Sequence, residues 1–164
     1  MRIAAGSDEA NELTSALMFE LHKRGPEVLL FGPLAQNDRD VDWPRVASHV
    51  AEAVVQGDSG DGIVCCRTGT GASIAANKAP GIRAALVHDA ETARGARIWS
   101  HANVLALSLR ATSIPALHEI LDAWFATSSS EGEAQSEWNR TQIERVRQLE
   151  ERYRHLEPLK TSGR

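Results

Sequence analysis

The feature that most constrains the fold is a regular alternation of short β-rich runs with longer helical patterns. The runs typical of strands are residues 2–5, 28–31, 62–66, 82–87 and 104–107. Several are continuously apolar, as expected of strands that are buried on both faces of a sheet. Because a helical pattern separates each run from the next, the sequence predicts an α/β fold. Its core is a five-stranded parallel sheet, with right-handed crossovers and helices on both faces.

The segments between the runs predict helices and their ends. Gly25-Pro26 ends the first helix, Pro44 opens the second, and Asp89 suits the capping position of the fourth. The predicted helices are residues 9–24, 44–55, 72–78, 89–98 and 114–126. In open parallel sheets, ligands bind beyond the carboxyl ends of the strands. Residues 7–9, 67–71, 88–89 and 108–110 are therefore expected along one rim.

The C-terminal part of the sequence differs from the repeat. We divide the chain into a domain at 1–127, a Ser/Gly-rich linker at 128–134 and an extended C-terminal helix at 135–157. A narrow apolar stripe runs along this charged helix: Val146, Leu149, Tyr153 and Leu156. The stripe predicts packing on a partner such as another copy of the chain. The alternative is that the helix lies back on its own domain.

Composition excludes several classes of function. The 164 residues carry a formal net charge of −4, which argues against nucleic-acid binding. No apolar run approaches the roughly 20 residues that span a bilayer, and residues 1–6 are too short for a signal peptide. We therefore expect a cytoplasmic protein without membrane contact. Neither a C-x-x-C motif nor a His pair on one helical face is present, so no metal and no cofactor is expected.

A glycine-rich turn follows the third strand. Cys66 ends that strand, and Gly69, Thr70 and Gly71 lead into a helix. Converging backbone N–H groups in such a turn stabilise an anion, either a phosphate or the oxyanion of an enediolate. The same positive potential would favour the thiolate of Cys66, which can remove a proton next to a carbonyl. A buried structural cysteine beside a tight turn is the alternative, and the residues alone leave both open.

Residues 62–78, G-I-V-C-C-R-T-G-T-G-A-S-I-A-A-N-K, resemble the signature of the ribose-5-phosphate isomerase B and galactose-6-phosphate isomerase family, G-I-x-x-C-G-T-G-x-G-x-S-I-A-A-N-K. Segments 6–8, 42–44, 80–85 and 103–107 are similar to further family motifs, so the resemblance covers about residues 2–126. It implies a Rossmann-like α/β/α sandwich that forms a homodimer or a tetramer with sites at the subunit interface. It also implies an aldose–ketose isomerase that converts a sugar phosphate through a cis-enediolate. Whether a second, related subunit is required stays open.

The resemblance also implies roles for single residues. Cys66 aligns with the catalytic base, and Thr68 with a hydroxyl residue that handles substrate oxygens. Where some relatives carry a glutamate base, this chain has Ala72, which leaves the cysteine mechanism. The remaining aligned residues are substrate-binding: the anion hole of Gly69, Thr70 and Gly71, Asp8 and Asn103 for sugar hydroxyls, Arg110 for phosphate, and Trp43 in place of a pocket tyrosine.

Two departures from the family pattern alter the expected pocket. Glu9 stands where relatives carry a histidine near the phosphate, and Arg67 replaces a glycine of the turn. A carboxylate there repels a phosphate unless a neighbouring arginine neutralises it. We interpret the two as a coupled change around the substrate; the alternative is an exposed and incidental ion pair.

A third departure concerns the sugar ring. Trp99 replaces the histidine that opens the furanose ring of pentose phosphates, and tryptophan cannot do that chemistry. His101, two residues later, is either a substitute or a polar loop residue. A four-carbon sugar phosphate such as erythrulose or erythrose 4-phosphate needs no ring opening and is the preferred substrate; ribose 5-phosphate is the other.

Fourth, the family's arginine-rich C-terminal motif, which reaches the partner's phosphate, is missing. Arg140 and Arg145 are candidate replacements, or else solvated surface charges. These departures leave two other functions open: a relative that binds a sugar phosphate without turnover, and an isomerase of an unphosphorylated sugar.

Overall fold

The computed structural model of the protein describes residues 2–154. Its centre is a sheet in which all neighbouring strands are parallel, in the order β2-β1-β3-β5-β4. The strands are β1 (Arg2–Ser7), β2 (Glu27–Phe31), β3 (Asp61–Cys66), β4 (Ala84–Leu86) and β5 (Val104–Ser108). The predicted five-stranded parallel sheet is thus confirmed.

Helices follow the strands in alternation and cover both faces of the sheet. They are α1 (Glu12–Arg24), α2 (Trp43–Val55), α3 (Thr70–Ala76), α4 (Ala90–Trp99), α5 (Ile114–Ala126) and α6 (Glu137–Arg154). Short 3₁₀ turns at Gly32–Leu34 and Gly132–Gln135 were not predicted. The layers are those of a three-layer α/β/α sandwich.

The apolar side chains form one cluster on each face of the sheet. On one face, α1, α4 and α5 pack on alternate strand residues, with Trp124 of α5 fully buried. On the other face, α2 and α3 cover residues such as Ala4 and Val64. Cys65 lies in the first cluster and Cys66 in the second, and both are free thiols. As expected for strand neighbours, the two cysteines face opposite sides.

The ends of several elements differ from prediction for local reasons. Helix α1 begins at Glu12 rather than residue 9, because Asn11 caps it through a reciprocal pair of hydrogen bonds with Thr14. It ends at Gly25, whose φ is +84°. Strand β4 is shorter than the predicted 82–87, since the Arg83 N–H donates to the Asn103 side chain instead of extending the ladder.

The C-terminal helix α6 contacts its own domain at two points. The buried Asn139 side chain donates to the Ile98 carbonyl at 2.7 Å, and the Gly81 N–H donates to Glu150 at 2.7 Å. The alternative expectation, that this helix lies on its own domain, therefore holds at these points. Val146, Leu149 and Tyr153 are 47%, 51% and 60% exposed, so partner contact through them stays a prediction. Leu156, the last residue of the stripe, lies outside the described residues.

Candidate active site at the carboxyl edge

The turn after β3 is closed by backbone hydrogen bonds around Cys66. The Cys66 carbonyl accepts the N–H of Gly69 at 3.1 Å and that of Leu109 at 3.0 Å. The first bond folds the turn back on the strand, and the second ties it to the end of β5. The Cys66 side chain itself is buried at the end of the strand, with 5% exposure. A thiol held this way has a fixed position at the carboxyl edge.

Gly69 is required by the geometry of the turn. Its φ is +73°, which L side chains rarely adopt. A Cβ there would lie 2.5 Å from Leu86 Cδ1 and 2.9 Å from the Leu107 carbonyl carbon. The chain then enters α3 at Thr70. Glycine therefore lets the turn approach β4 and β5 more closely than any other residue would.

Trp43 forms one wall of the site. A Cβ on Gly71 would lie 3.0 Å from Cζ3 of the Trp43 ring, so the indole packs directly against the glycine-rich turn. Trp43 opens α2 and is still 43% exposed. Its free face is available to a ligand at the rim.

Asp8 lies beside the turn, just beyond the point where β1 pairs Ser7 with Cys65. The buried Ser7 hydroxyl donates to the Glu9 carbonyl at 2.7 Å and fixes this segment. Oδ1 of Asp8 is buried and has no hydrogen-bond partner among residues 2–154. Burial raises the pKa of Asp8, Glu9 adds to the rise, and a backbone hydrogen bond opposes it. An unsatisfied oxygen of this kind is suited to a substrate hydroxyl.

The side chains of Arg67 and Arg110 extend from backbone positions that are hydrogen-bonded to each other at the rim. The Arg67 carbonyl accepts the Arg110 N–H at 3.1 Å and the Ser108 hydroxyl at 3.1 Å. Both arginines are exposed, as are Thr68 and Glu9. Within residues 2–154, no ion pair joins Glu9 to Arg67, so the predicted neutralising contact is not formed in the single chain.

Ser7 and Ser108 were expected at the rim, but their role in holding the site was not predicted. Both are buried at strand ends, and their hydroxyls hold the Glu9 and Arg67 carbonyls. A serine that ends an apolar strand was the available signal, because a buried hydroxyl needs a hydrogen-bond partner.

Other predicted residues lie at the opposite, amino edge of the sheet. Trp99 ends α4, and Asn103 directly precedes β5. The Asn103 side chain is used within the chain, accepting the Arg83 N–H at 2.8 Å and donating to the Gly81 carbonyl at 3.0 Å. One chain therefore does not bring Trp99 or Asn103 to the Cys66 rim.

His101 and the α6 arginines also lie away from Cys66. His101 has a φ of +46°, and its Nε2 lies 2.8 Å from the Ala134 carbonyl. It attaches the segment before α6, as a polar loop residue does. Arg140 and Arg145 are exposed on α6, which is held at the amino edge by Asn139.

Residues 2–154 offer little other functional chemistry. Among residues 2–154, no group of three or more His, Cys, Asp or Glu side chains could hold a metal ion. Burial raises the pKa of Cys65 to about 12, with Cys66 and Asp8 adding to the effect, so Cys65 is a thiol at neutral pH. No helix in this range is long and apolar enough to span a membrane.

The chain is similar to known proteins over most of its length. The profile of the family described as Ribose/Galactose Isomerase matches residues 3–141. The chain is 34% identical to ribose-5-phosphate isomerase B of Escherichia coli over 152 residues, 92% of this chain and 97% of that one. It is 36% identical to D-erythrulose-4-phosphate isomerase of Pectobacterium atrosepticum over 127 residues, 76% and 82% of the two chains.

A solved structure shows the same fold. Ribose-5-phosphate isomerase B of Clostridium thermocellum superposes with a TM-score of 0.82 at 37% identity, covering 93% of this chain and 99% of the other. Sequence and fold agree over most of both molecules. The chain therefore belongs to the ribose/galactose isomerase family of sugar-phosphate isomerases.

Proposed function

We propose that this protein interconverts a four-carbon aldose phosphate and ketose phosphate, with Cys66 as the base. The observation that carries the proposal is the grouping at the carboxyl edge. The cysteine, the glycine-rich turn and the unsatisfied Asp8 oxygen all lie at the ends of the neighbouring strands β1 and β3. Such a grouping suits proton removal next to a carbonyl, followed by stabilisation of the oxyanion.

In the reaction, the Cys66 thiolate takes a proton from the carbon next to the carbonyl. The electron pair of that C–H bond forms the C=C bond of an enediolate, and the carbonyl oxygen becomes an oxyanion. N–H groups of the turn at Gly69, Thr70 and Gly71 stabilise that charge. Return of the proton to the neighbouring carbon completes the isomerisation, while Thr68 and Asp8 bind the oxygens that exchange a proton.

Cys66 is the base because the chain offers no other at this position. Ala72, where some relatives have a glutamate, is 1% exposed and has no ionisable group. Cys65 faces the opposite cluster and stays protonated. Neither neighbour can take the proton.

The substrate proposal rests on Trp99. Without a ring-opening histidine, a substrate that is already acyclic is favoured, and a four-carbon sugar with its terminal hydroxyl phosphorylated cannot form a furanose. The similarity to an enzyme named D-erythrulose-4-phosphate isomerase supports the same choice. Ribose 5-phosphate is the competing substrate, supported by the similarity to ribose-5-phosphate isomerase B.

We further propose that a second copy of the chain completes the site. Trp99 is 44% exposed, and Arg140 and Arg145 are exposed on α6. All three belong to the edge opposite Cys66, so they can serve a site only in a neighbouring copy. A homodimer or a tetramer satisfies this requirement.

A proton-exchange experiment tests the proposal. The purified protein is incubated in D₂O with sugar phosphates of four, five and six carbons, and proton NMR follows exchange at C2 and interconversion of the two sugars. Cys66→Ala should lower the exchange rate by about 10²–10⁴-fold, the usual contribution of a positioned base. Cys65→Ala is the matched control and should keep its rate per folded protein.

The outcomes separate the competing functions. Exchange restricted to four-carbon substrates supports the acyclic substrate, and fast conversion of ribose 5-phosphate overturns it. Equal rates in Cys66→Ala and the parent protein would exclude the cysteine base. Exchange only with unphosphorylated sugars would favour the alternative that the exposed Glu9 suggests, because a carboxylate at the rim disfavours a phosphate.

A further inference from the structure

Resting on the proposed function, we propose that Arg67 selects short substrates by binding their phosphate directly beside the reacting carbon. The residue follows the proposed base in the chain and occupies a position that is glycine in the resembling signature. Arg67 then acts as a phosphate ligand and specificity determinant, and not simply as a counter-charge for Glu9.

The backbone at Arg67 is fixed, so its side chain starts from a defined point. The Arg67 carbonyl accepts hydrogen bonds from the Ser108 hydroxyl and the Arg110 N–H, both at 3.1 Å. The carbonyl of the preceding Cys66 is held by Gly69 and Leu109 at 3.1 and 3.0 Å. These bonds fix the backbone from which the Arg67 side chain extends, directly after the proposed base.

The arginine is free to take an anion. Its side chain is exposed, and no ion pair among residues 2–154 includes Arg67 or Arg110. Two guanidinium groups from hydrogen-bonded backbone positions match the several oxygens of one phosphate. Asp8 and Glu9 place acidic groups at this rim that oppose an anion, which makes a cation here more necessary.

The expected chain length of the substrate follows from the position of the Arg67 charge. In a four-carbon sugar phosphate, only a few bonds separate the phosphate from the carbon that loses its proton. Its phosphate must therefore bind close to Cys66. A six-carbon substrate carries its phosphate farther away, and an arginine in place of a glycine adds bulk at the near end of the site. An arginine in place of glycine thus shortens the substrate site and adds a positive charge at the end nearest Cys66.

The arginines of α6 cannot fill this role within one chain. Arg140 and Arg145 belong to a helix attached at the amino edge through Asn139 and Glu150. Arg67 and Arg110 are the arginines next to the proposed base.

Three variants test the assignment by steady-state kinetics on sugar phosphates of four, five and six carbons. Arg67→Gly should raise KM for the four-carbon substrate by about tenfold to a hundredfold, the usual effect of losing a charge-assisted contact. The kcat should change little, and the preference for four over six carbons should fall by a similar factor. Arg67→Lys should recover part of the loss. Arg39→Gly, at an exposed loop position, is the matched control and should behave like the parent protein.

Calorimetry with inorganic phosphate provides a readout that does not need turnover. Phosphate affinity should fall in Arg67→Gly and stay unchanged in Arg39→Gly. If Arg67→Gly keeps the KM and the chain-length preference while Cys66→Ala abolishes exchange, the inference is wrong and the proposed function stands. If the parent protein turns over no sugar phosphate, the proposed function fails. Unchanged phosphate affinity in Arg67→Gly would then overturn the anion-binding role as well.

Discussion

The carboxyl and amino edges of the sheet use their polar side chains in different ways. At the carboxyl edge, Asp8 keeps a buried oxygen without a partner, and Arg67 and Arg110 are exposed and form no ion pair in the described chain. At the amino edge, the Asn103 amide is hydrogen-bonded to backbone groups of the same chain. The Asn139 amide nitrogen donates to two backbone carbonyls, while its Oδ1 is buried without a hydrogen-bond partner among residues 2–154. The carboxyl edge therefore has polar groups that are free to bind a ligand, whereas the polar groups of the amino edge mainly hold the fold together.

This difference between the two edges separates residues that the resemblance to the family assigns to one site. Asn103 and Cys66 both fall in similar motifs, yet only Cys66 lies at the carboxyl edge. The exposed Arg67 and Arg110 at that edge form no ion pair among residues 2–154. Those amino-edge residues that remain exposed are Trp99 and the α6 arginines, and in the proposed assembly they act on the substrate of another copy. The edge on which a residue lies therefore decides whether it serves its own site.

The largest expected effect is a difference in stability between two glycine variants, one from each edge of the sheet. Gly69→Ala combines a positive φ with a Cβ that would lie 2.5 Å from Leu86 Cδ1. Strain and overpacking should together lower the free energy of unfolding by about 2–5 kcal/mol and remove most isomerase activity. Gly81→Ala, with φ +82° and nothing within 4 Å of its Cβ, should cost only about 1–2 kcal/mol.

Urea denaturation and turnover measurements of the two variants check this prediction. Similar losses of stability in both would show that the close packing of the turn on β4 and β5 is unimportant. Full activity in Gly69→Ala would contradict the placement of the oxyanion site at this turn.

A smaller effect is expected from removing the amide that holds α6. Asn139 is fully buried and donates to the carbonyls of Ile98 and Ala134 at 2.7 and 2.9 Å. Asn139→Ala should cost about 1–3 kcal/mol, because it leaves buried carbonyls unsatisfied, and should speed amide hydrogen exchange across 137–154. Gln148→Ala, at an exposed position of the same helix, should change stability by less than about 0.5 kcal/mol. Equal hydrogen exchange in both variants would show that Asn139 does not anchor the helix.

The smallest expected effect is a difference in how two aspartates change the pH dependence of protein stability. The pKa of Asp8 is raised, mainly by burial, so its contribution to stability is favourable at low pH and is lost as pH rises through the folded-state pKa. Asp8→Asn should therefore be more stable than the parent protein by at most about 1 kcal/mol at neutral pH. This difference in stability should vanish in acid.

Asp38 should behave in the opposite way. Backbone N–H groups of Asp40 and Gly32 lower the pKa of its carboxyl, so its stabilisation is present at neutral pH and is lost in acid. Asp38→Asn should be less stable than the parent at neutral pH, and the difference should shrink as pH falls. Denaturation of both variants between acid and neutral pH measures these slopes, and slopes of the same sign would contradict the assignment.

Local patterns in the sequence predicted the architecture well. Continuous apolar runs such as 104–107 specify strands buried on both faces, and Gly25, Pro44 and Asp89 mark helix ends that the structure confirms. The order of the strands was not predicted. Which strands pair depends on contacts between distant segments, and no local signal distinguishes β4 as an edge strand.

The site was only partly predictable for the same reason. The spacing of Cys66 and the glycines located the turn, because a tight turn is specified by neighbouring residues. The uses of Asn103 and His101 depend on Gly81, Arg83 and Ala134, which are distant in the sequence. Resemblance aligned Asn103 with a family motif, and the position of His101 two residues after Trp99 suggested it as a substitute. Neither signal could reveal what the two residues contact.

The opposite orientation of the two cysteines has a consequence for oxidative damage. A cysteine oxidised to sulfenic acid is rescued most readily when a second thiol lies close enough to form a disulfide. The chain has only two cysteines, and the sheet itself separates Cys65 from Cys66. Oxidation of the proposed base therefore has no internal repair route, and recovery depends on a reducing thiol supplied by the surroundings.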